Sequence, residues 1–171
     1  MMTDHSTPSL LLGTRNPGKV CEIEIILGGV PWHIRSLQEF ADLTTPAETG
    51  DTYAANAIIK AQFYARETGL TALADDSGLE VEALGGVPGV FSARYAGEHA
   101  SDADRRALLL SQLTQLSKPN QAQPNEADEN RRARFVCVVA IADPNGNLLN
   151  VSEGTCAGKI IFEPRGYGGF G

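Results

Sequence analysis

The sequence has 171 residues, 42% hydrophobic and 20% charged, the make-up of a globular protein long enough for one domain with a real core or for two small lobes. Asp and Glu number 21 against 14 Lys and Arg, a net charge of −7, and no basic run exceeds Arg131-Arg132, which argues against duplex nucleic acid as a partner. An anionic ligand must therefore meet a local pocket of positive charge or a metal.

The opening, MMTDHSTPSLLLG, has no basic region, and its apolar run is too short for a signal peptide or a membrane span. Cys21, Cys137 and Cys156 fit neither a zinc spacing nor a disulfide framework, so they read as reduced thiols of a cytoplasmic protein. Ser9 to Leu12 reads as an apolar strand that ends at Gly13, with a turn over Thr14-Arg15-Asn16-Pro17-Gly18. Lys19 to Leu27 follows as a helix, with Val20, Ile23, Ile26 and Leu27 at helical spacing and Gly28-Gly29 as its stop. Trp32 to Ile34 reads as a second strand, and Gln38 to Gly50 as a loop that carries Glu48 near its end.

Asp51 or Thr52 caps a long second helix whose apolar set includes Tyr53, Ala57, Ala61 and Tyr64; Gly69 ends it. A short strand, Leu70 to Ala74, then delivers Asp75, Asp76, the hydroxyl of Ser77 and a turn glycine, Gly78. Leu79, Val81 and Ala83 alternate with Glu80 and Glu82 as a half-buried strand. Ser101 with Asp104 forms a capping box for a third helix, Asp102 to Leu116. Ser117 to Arg132 is polar, without an apolar anchor, and reads as a mobile surface loop. Phe135 to Ala142 and Leu148 to Thr155 flank the hairpin turn Asp143-Pro144-Asn145-Gly146, and Gly158 to Phe162 reads as a further short strand. Strand-helix-strand units followed by a hairpin indicate an α/β fold with a mixed sheet.

Two places carry chemistry. A strand, a tight turn and a helix with Lys19 in its first turn make an anion-binding design, because helix N-terminal N–H groups and the positive dipole end point at the ligand. Thr14 and Asn16 add polar side chains there. The same residues, Gly13 to Lys19, match GxxxxGK, most of a nucleotide-binding P-loop, with Asp75 in the place of the second acidic motif. Val20 stands where that motif needs Ser or Thr, and Pro17 lacks an N–H. At the second place, Glu48, Asp75 and Asp76 are candidates to hold a divalent cation, since acids at the end of a buried strand are unfavourable without one. Close acids also leave one with a raised pKa, as a general base needs. Asp75 and Asp76 can share one site only if the strand ends between them and the turn. Lys60 follows Asn56 by one helical turn; on spacing alone, an exposed helix face accounts for both.

Taken in order, Thr14-x-Asn16-x-x-Lys19, Glu48-Thr49-Gly50, Asn56-Ala57-x-x-Lys60-Ala61, Ala74-Asp75-Asp76-Ser77-Gly78-Leu79, Gly85-Gly86-x-Pro88-Gly89 with Ser92-Ala93-Arg94-Tyr95, and Gly168-Gly169-Phe170-Gly171 resemble the inosine triphosphate pyrophosphatases. The likeness runs from Leu10 to Gly171, treated as a single domain. It implies an elongated mixed β-sheet with flanking helices forming two lobes around a central cleft, and a homodimer. It implies magnesium-dependent hydrolysis of ITP, dITP and XTP to the monophosphate and pyrophosphate. By the same carry-over, Thr14, Arg15, Asn16, Pro17, Gly18 and Lys19 hold phosphate with Lys60 nearby, and Glu48, Asp75 and Asp76 surround the metal. Asp76 activates water, Ser77 contacts substrate, and Phe170, with Gly171 beside it, stacks on the purine. The family continues beyond Gly-Phe-Gly with a further strand, a helix and a late Ser-His-Arg that reads the base, so the expectation is of a family fold cut short at its C-terminal, specificity-giving end. The competing readings are a P-loop phosphohydrolase that releases orthophosphate and a nucleotide-binding module without turnover.

Overall fold

The structure, a computed structural model, describes residues 7–116, 131–163 and 165. Five strands and three helices follow in the order β1 (Ser9–Leu12), α1 (Pro17–Ile26), β2 (His33–Ser36), α2 (Tyr53–Thr68), β3 (Thr71–Val81), α3 (Asp102–Leu116), β4 (Arg132–Ala142) and β5 (Leu148–Lys159). They form one mixed sheet in the order β2-β1-β3-β4-β5. β1 pairs in parallel with β2, from Ser9 opposite His33 to Leu12 opposite Ser36, and with β3, from Leu10 opposite Thr71 to Leu12 opposite Leu73. β4 and β5 are neighbours joined by a tight turn, which makes them an antiparallel hairpin.

The helix boundaries follow the capping chemistry. α1 starts with Pro17, whose missing N–H has no partner to lose at that position. Thr52 caps α2 by accepting the Ala55 N–H at 3.1 Å, and Gly69 ends it in the left-handed region at φ 67°. The Ser101–Asp104 box forms as expected: the Ser101 N–H donates to Asp104 at 2.9 Å, and the Asp104 N–H donates to the Ser101 hydroxyl at 3.2 Å.

The chain divides into two compact units, residues 1–76 with 138–153, and residues 77–137 with 154–171. In the first, Leu10, Leu12 and Leu73 form a core against Val20, Ile23 and Leu27 of α1, Ile34 of β2, and Val139 and Ile141 of β4. Ile26, expected on the same face of α1, is instead 77% exposed, because the stripe has rotated past it by the last turn. In the second, Val81 packs with Leu109 and Leu113 of α3, with Leu79, Leu84 and Tyr95 around them.

Three expectations about strands need correction. β3 does not end at Ala74: Thr71 to Val81 is one unbroken strand, and Gly78 makes no turn. β5 runs without interruption to Lys159, so the separate strand expected from Gly158 merges into it. β4 begins at Arg132, the last residue of the segment expected to be a loop; Arg131 before it is a buried turn residue, and 117–130 lie outside the described residues.

Candidate active site

The candidate site belongs to the first unit and is assembled from the exit of β1, the first turn of α1, the loop before α2, one face of α2 and the middle of β3. Gly13 ends β1 and donates its N–H to Leu73 O at 2.6 Å, extending the pairing with β3. A Cβ on Gly13 would stand 2.8 Å from the Tyr64 ring and 3.1 Å from the Ala74 Cβ, so glycine is needed for β1 to leave the sheet beneath α2. The turn that follows is held by its own side chains. Thr14 Oγ1 accepts the Asn16 N–H at 3.2 Å, and Asn16 Oδ1 caps α1 by accepting the Gly18 and Lys19 N–H groups at 2.9 and 3.3 Å.

Two of the N–H groups on which an anion-binding turn would rely are thus already bonded, and Pro17 has none. That is not the open N–H cradle of a P-loop. The positive charge of this turn comes instead from Lys19. Its ammonium lies 2.6 Å from Asp75 Oδ2, with Lys19 itself 26% exposed and Asp75 5% exposed. The Arg15 guanidinium donates to Leu43 O and ties the turn to the loop that carries Glu48.

The unbroken course of β3 decides how the carboxylates are used. Successive strand residues point to opposite faces. Leu73 and Asp75 therefore lie on the α1 side, where Leu73 joins the core and Asp75 meets Lys19. Ala74 and Asp76 lie on the α2 side, where Asp76 Oδ2 accepts from Asn56 Nδ2 at 3.2 Å and Asp76 Oδ1 is 3.5 Å from Lys60 Nζ. Lys60 Nζ also donates to Glu48 Oε1 at 2.8 Å. Glu48 and Asp76 thus converge on one ammonium, while Asp75 is turned away to a second. Among the described residues no three His, Cys, Asp or Glu side chains gather as a metal cluster. The expected set of Glu48, Asp75 and Asp76 is separated by strand alternation into a pair and a single.

Asn56 and Lys60 do not lie on an exposed helix face. The buried residues of α2 are Tyr53, Asn56, Ala57, Lys60, Ala61, Tyr64 and Ala65, a continuous stripe at spacings of three and four. The pattern was present in the sequence: positions 56 and 60 fall inside the stripe drawn by Tyr53, Ala57, Ala61 and Tyr64. A buried amide and a buried ammonium need partners, and the carboxylates supply them. Asn56, fully buried, also accepts the Gly50 N–H on Oδ1 at 2.8 Å. Asn56 and Gly50 are the residues that sequence reasoning left out of the site. Ser77 follows Asp76 on β3 and is half-buried, and Phe170 and Gly171, expected at the base, lie outside the described residues.

The electrostatics follow from this packing. Burial raises the Asp76 pKa above the usual 3.8, and Glu48 adds to the rise; Lys60 and the Asn56 hydrogen bond oppose it without cancelling it. Burial disfavours the charge on Lys60, yet the Glu48 hydrogen bond and the charges of Asp76, Glu48 and Asp75 outweigh it, so the pKa lies above the usual 10.5. Lys60 therefore stays an ammonium, and Asp76 is a carboxylate made more basic by its burial. Two oxygen donors that already share one cation suit a hard divalent ion as well. The site can bind phosphate through Lys19 and Lys60, hold a cation between Glu48 and Asp76, and accept a proton from water on Asp76.

Both the sequence and the fold have known relatives. The sequence matches the family model described as the Ham1 family over residues 10–171. It is 47% identical over 162 residues to the dITP/XTP pyrophosphatase of Desulforamulus reducens, covering 95% of this chain and 75% of that protein. It is 46% identical over 162 residues to the dITP/XTP pyrophosphatase of Geobacter sulfurreducens, covering 95% and 76%. Among solved structures, a HAM1 protein from Coxiella burnetii superposes with a TM-score of 0.80 at 38% identity, covering 96% of this chain and 78% of that one. The Staphylococcus aureus Ham1 protein superposes at 0.75 with 36% identity, covering 95% and 77%. Neither a chance motif nor a shared fold alone produces identity at this level along nearly the whole chain, and the chain belongs to the Ham1 family.

Proposed function

We infer that this chain hydrolyses non-standard purine nucleoside triphosphates, ITP, dITP and XTP, to the monophosphate and pyrophosphate. The observation that carries the reading is the pairing of Asp76 and Glu48 on Lys60, with Lys19 on Asp75 one strand position away, in a chain nearly half identical to dITP/XTP pyrophosphatases. The P-loop alternative is disfavoured by the capped, proline-bearing turn at Asn16.

Lys19 and Lys60 bind the triphosphate electrostatically, with Thr14, Arg15, Asn16, Pro17 and Gly18 shaping the turn around it and Ser77 beside Asp76. Asp76 is the general base. Its Oδ2 is held by Asn56, a donor, so the proton taken from water goes to Oδ1, whose contact with Lys60 is long at 3.5 Å. The water attacks the α-phosphorus in line with the departing pyrophosphate, whose charge Lys19 and Lys60 offset. Glu48 and Asp76, with Asp75 behind Lys19, would hold a magnesium ion, which when bound would supply charge neutralisation and lower the pKa of the attacking water. Most of the remaining rate enhancement is positioning. The resemblance also supports a cytoplasmic homodimer and a purine that stacks on Phe170 beside Gly171. Among the described residues no cysteine is in a disulfide, and no helix is long and apolar enough to cross a membrane.

The test is product identity. XTP and magnesium should yield XMP and pyrophosphate in equal amounts, with turnover abolished and nucleotide binding largely kept in Asp76→Asn. XDP and orthophosphate as products would reject the reading in favour of a phosphohydrolase, and binding without turnover would make the chain a binding module.

A further inference from the structure

We propose that Asn56 is a positioning residue that sets the separation between Glu48 and Asp76, acting as a strut between the Glu48 loop and β3. This deepens the catalytic reading given above and rests on it. Glu48 sits in a loop, Leu43 to Gly50, that has no regular secondary structure of its own. Such a loop cannot place a carboxylate unless it is tied down. Its far end is tied by Arg15 at Leu43 O, and its near end by Asn56 at the Gly50 N–H, two residues from Glu48.

The other end of the same amide holds Asp76. Its orientation is dictated by its partners: an N–H at Gly50 requires the oxygen, and a carboxylate at Asp76 requires the nitrogen. Among side chains of this size an amide presents an acceptor and a donor on two separate atoms, whereas a hydroxyl has one atom for both and an ionised carboxylate has no donor. Asp would offer acceptors to both partners, and Leu would leave both without a partner. Full burial of Asn56 removes water as a substitute.

Gly50 belongs to the same device. A Cβ there would stand 2.6 Å from the Ala55 Cβ, 2.8 Å from Asn56 Oδ1 and 3.1 Å from the Asn56 backbone nitrogen. Real side chains do not approach this closely, so any larger residue lifts the loop off the helix and carries Glu48 with it. Glycine at position 50 and asparagine at position 56 are therefore one requirement, the close seating of the loop on the first turn of α2.

The test uses the full chain without nucleotide for one readout and with XTP and magnesium for the other. Hydrogen exchange of the segment 46–52 reports the loop seat. Steady-state kinetics report kcat and KM separately. Asn56→Ala should speed exchange of that segment by about tenfold or more and lower kcat by about 10–100-fold, the range found for partners behind metal-holding side chains, with KM for XTP within about threefold of wild type. Asn56→Asp keeps an acceptor for the Gly50 N–H but loses the donor to Asp76, so exchange should stay slow while kcat falls as far. Gly50→Ala leaves both Asn56 and Asp76 in place and should reproduce the fast exchange and the lowered kcat, and it carries the test if the Asn56 variants do not fold. Unchanged exchange in Asn56→Ala or Gly50→Ala, or turnover within about twofold of wild type in either, overturns the proposal. If wild type makes no XMP and pyrophosphate, the catalytic reading fails, while the exchange arms still decide whether Asn56 seats the loop.

Discussion

Replacing Lys60 by Met removes the one cation shared by Glu48 and Asp76, and its effect can be worked from the geometry. The side chains of Lys60 and Asp76 are each 11% exposed, and that of Glu48 is 29% exposed. Removing one partner of a fully buried ion pair costs about 3–5 kcal/mol, because a buried charge is left uncompensated. Glu48 can turn part-way to water, so the expected loss at neutral pH is about 2 kcal/mol, or ~4–8 °C in Tm for a chain of this length. The sign of the pH dependence follows from Asp76. Its folded pKa is already above 3.8, and losing Lys60 removes the largest influence that lowers it. A carboxyl with a raised folded pKa favours folding below its unfolded pKa and loses that contribution as pH rises through the folded value. The deficit of Lys60→Met should therefore be smallest near pH 4 and largest near pH 7. Magnesium should stabilise the variant more than wild type, because the ion takes the place the ammonium left; at 100 times its Kd a ligand contributes about 2.7 kcal/mol. Thermal melts at pH 4 and 7, with and without magnesium, measure both effects. A variant that melts like wild type at pH 7, or gains no more from magnesium than wild type does, would refute the shared-cation description of the site.

Lys19→Ala should chiefly raise KM for XTP, by about tenfold or more, with kcat changed less, because it deletes charge that holds phosphate in ground and transition states alike; initial-rate kinetics separate the two. Gly146→Ala should lower stability by about 1–2 kcal/mol, read by thermal melting, since Gly146 has φ 79° and a Cβ there would stand 2.2 Å from Arg66 Nε. Ser101→Ala should destabilise the protein more at pH 7 than near pH 2, because the cap bond from the Asp104 N–H is lost at every pH and the bond to the Asp104 carboxylate only where that group is ionised. The Ser101 hydroxyl, then its N–H, hold the Asp104 pKa below 3.8, so this contribution is present above 3.8 and lost as pH falls through the depressed value; melts across that range would show a pH-independent difference if the box were inert.

How much was legible in the sequence differs from residue to residue. The cap at Thr52, the box at Ser101–Asp104 and the stop at Gly69 were readable because each is a local contact between residues a turn apart. The apolar stripe of α1 was readable at Val20, Ile23 and Leu27 and misleading at Ile26. Asp75-Asp76-Ser77-Gly78 read as a turn because acids and glycine disfavour strands, yet β3 runs through them. There the pairing of the sheet, the partly buried Lys19 and the buried Asn56 and Lys60 override local propensity. That single difference changes the site from three acids around one point to two acids sharing Lys60 and one assigned to Lys19. The functions of Asn56 and Gly50 were beyond local reasoning, because a strut between a loop and a strand appears only when the three segments are folded together. The spacing of Asn56 and Lys60 within the stripe of α2 was nevertheless in plain view, and a buried polar residue in such a stripe is a signal that a partner exists.

The most direct measurement of the central claim is hydrolysis of XTP in water enriched in oxygen-18, with magnesium present and the products weighed by mass spectrometry. Attack by an Asp76-activated water at the α-phosphorus predicts XMP carrying one heavy oxygen and unlabelled pyrophosphate. Label in the pyrophosphate, or XDP with labelled orthophosphate, would contradict it.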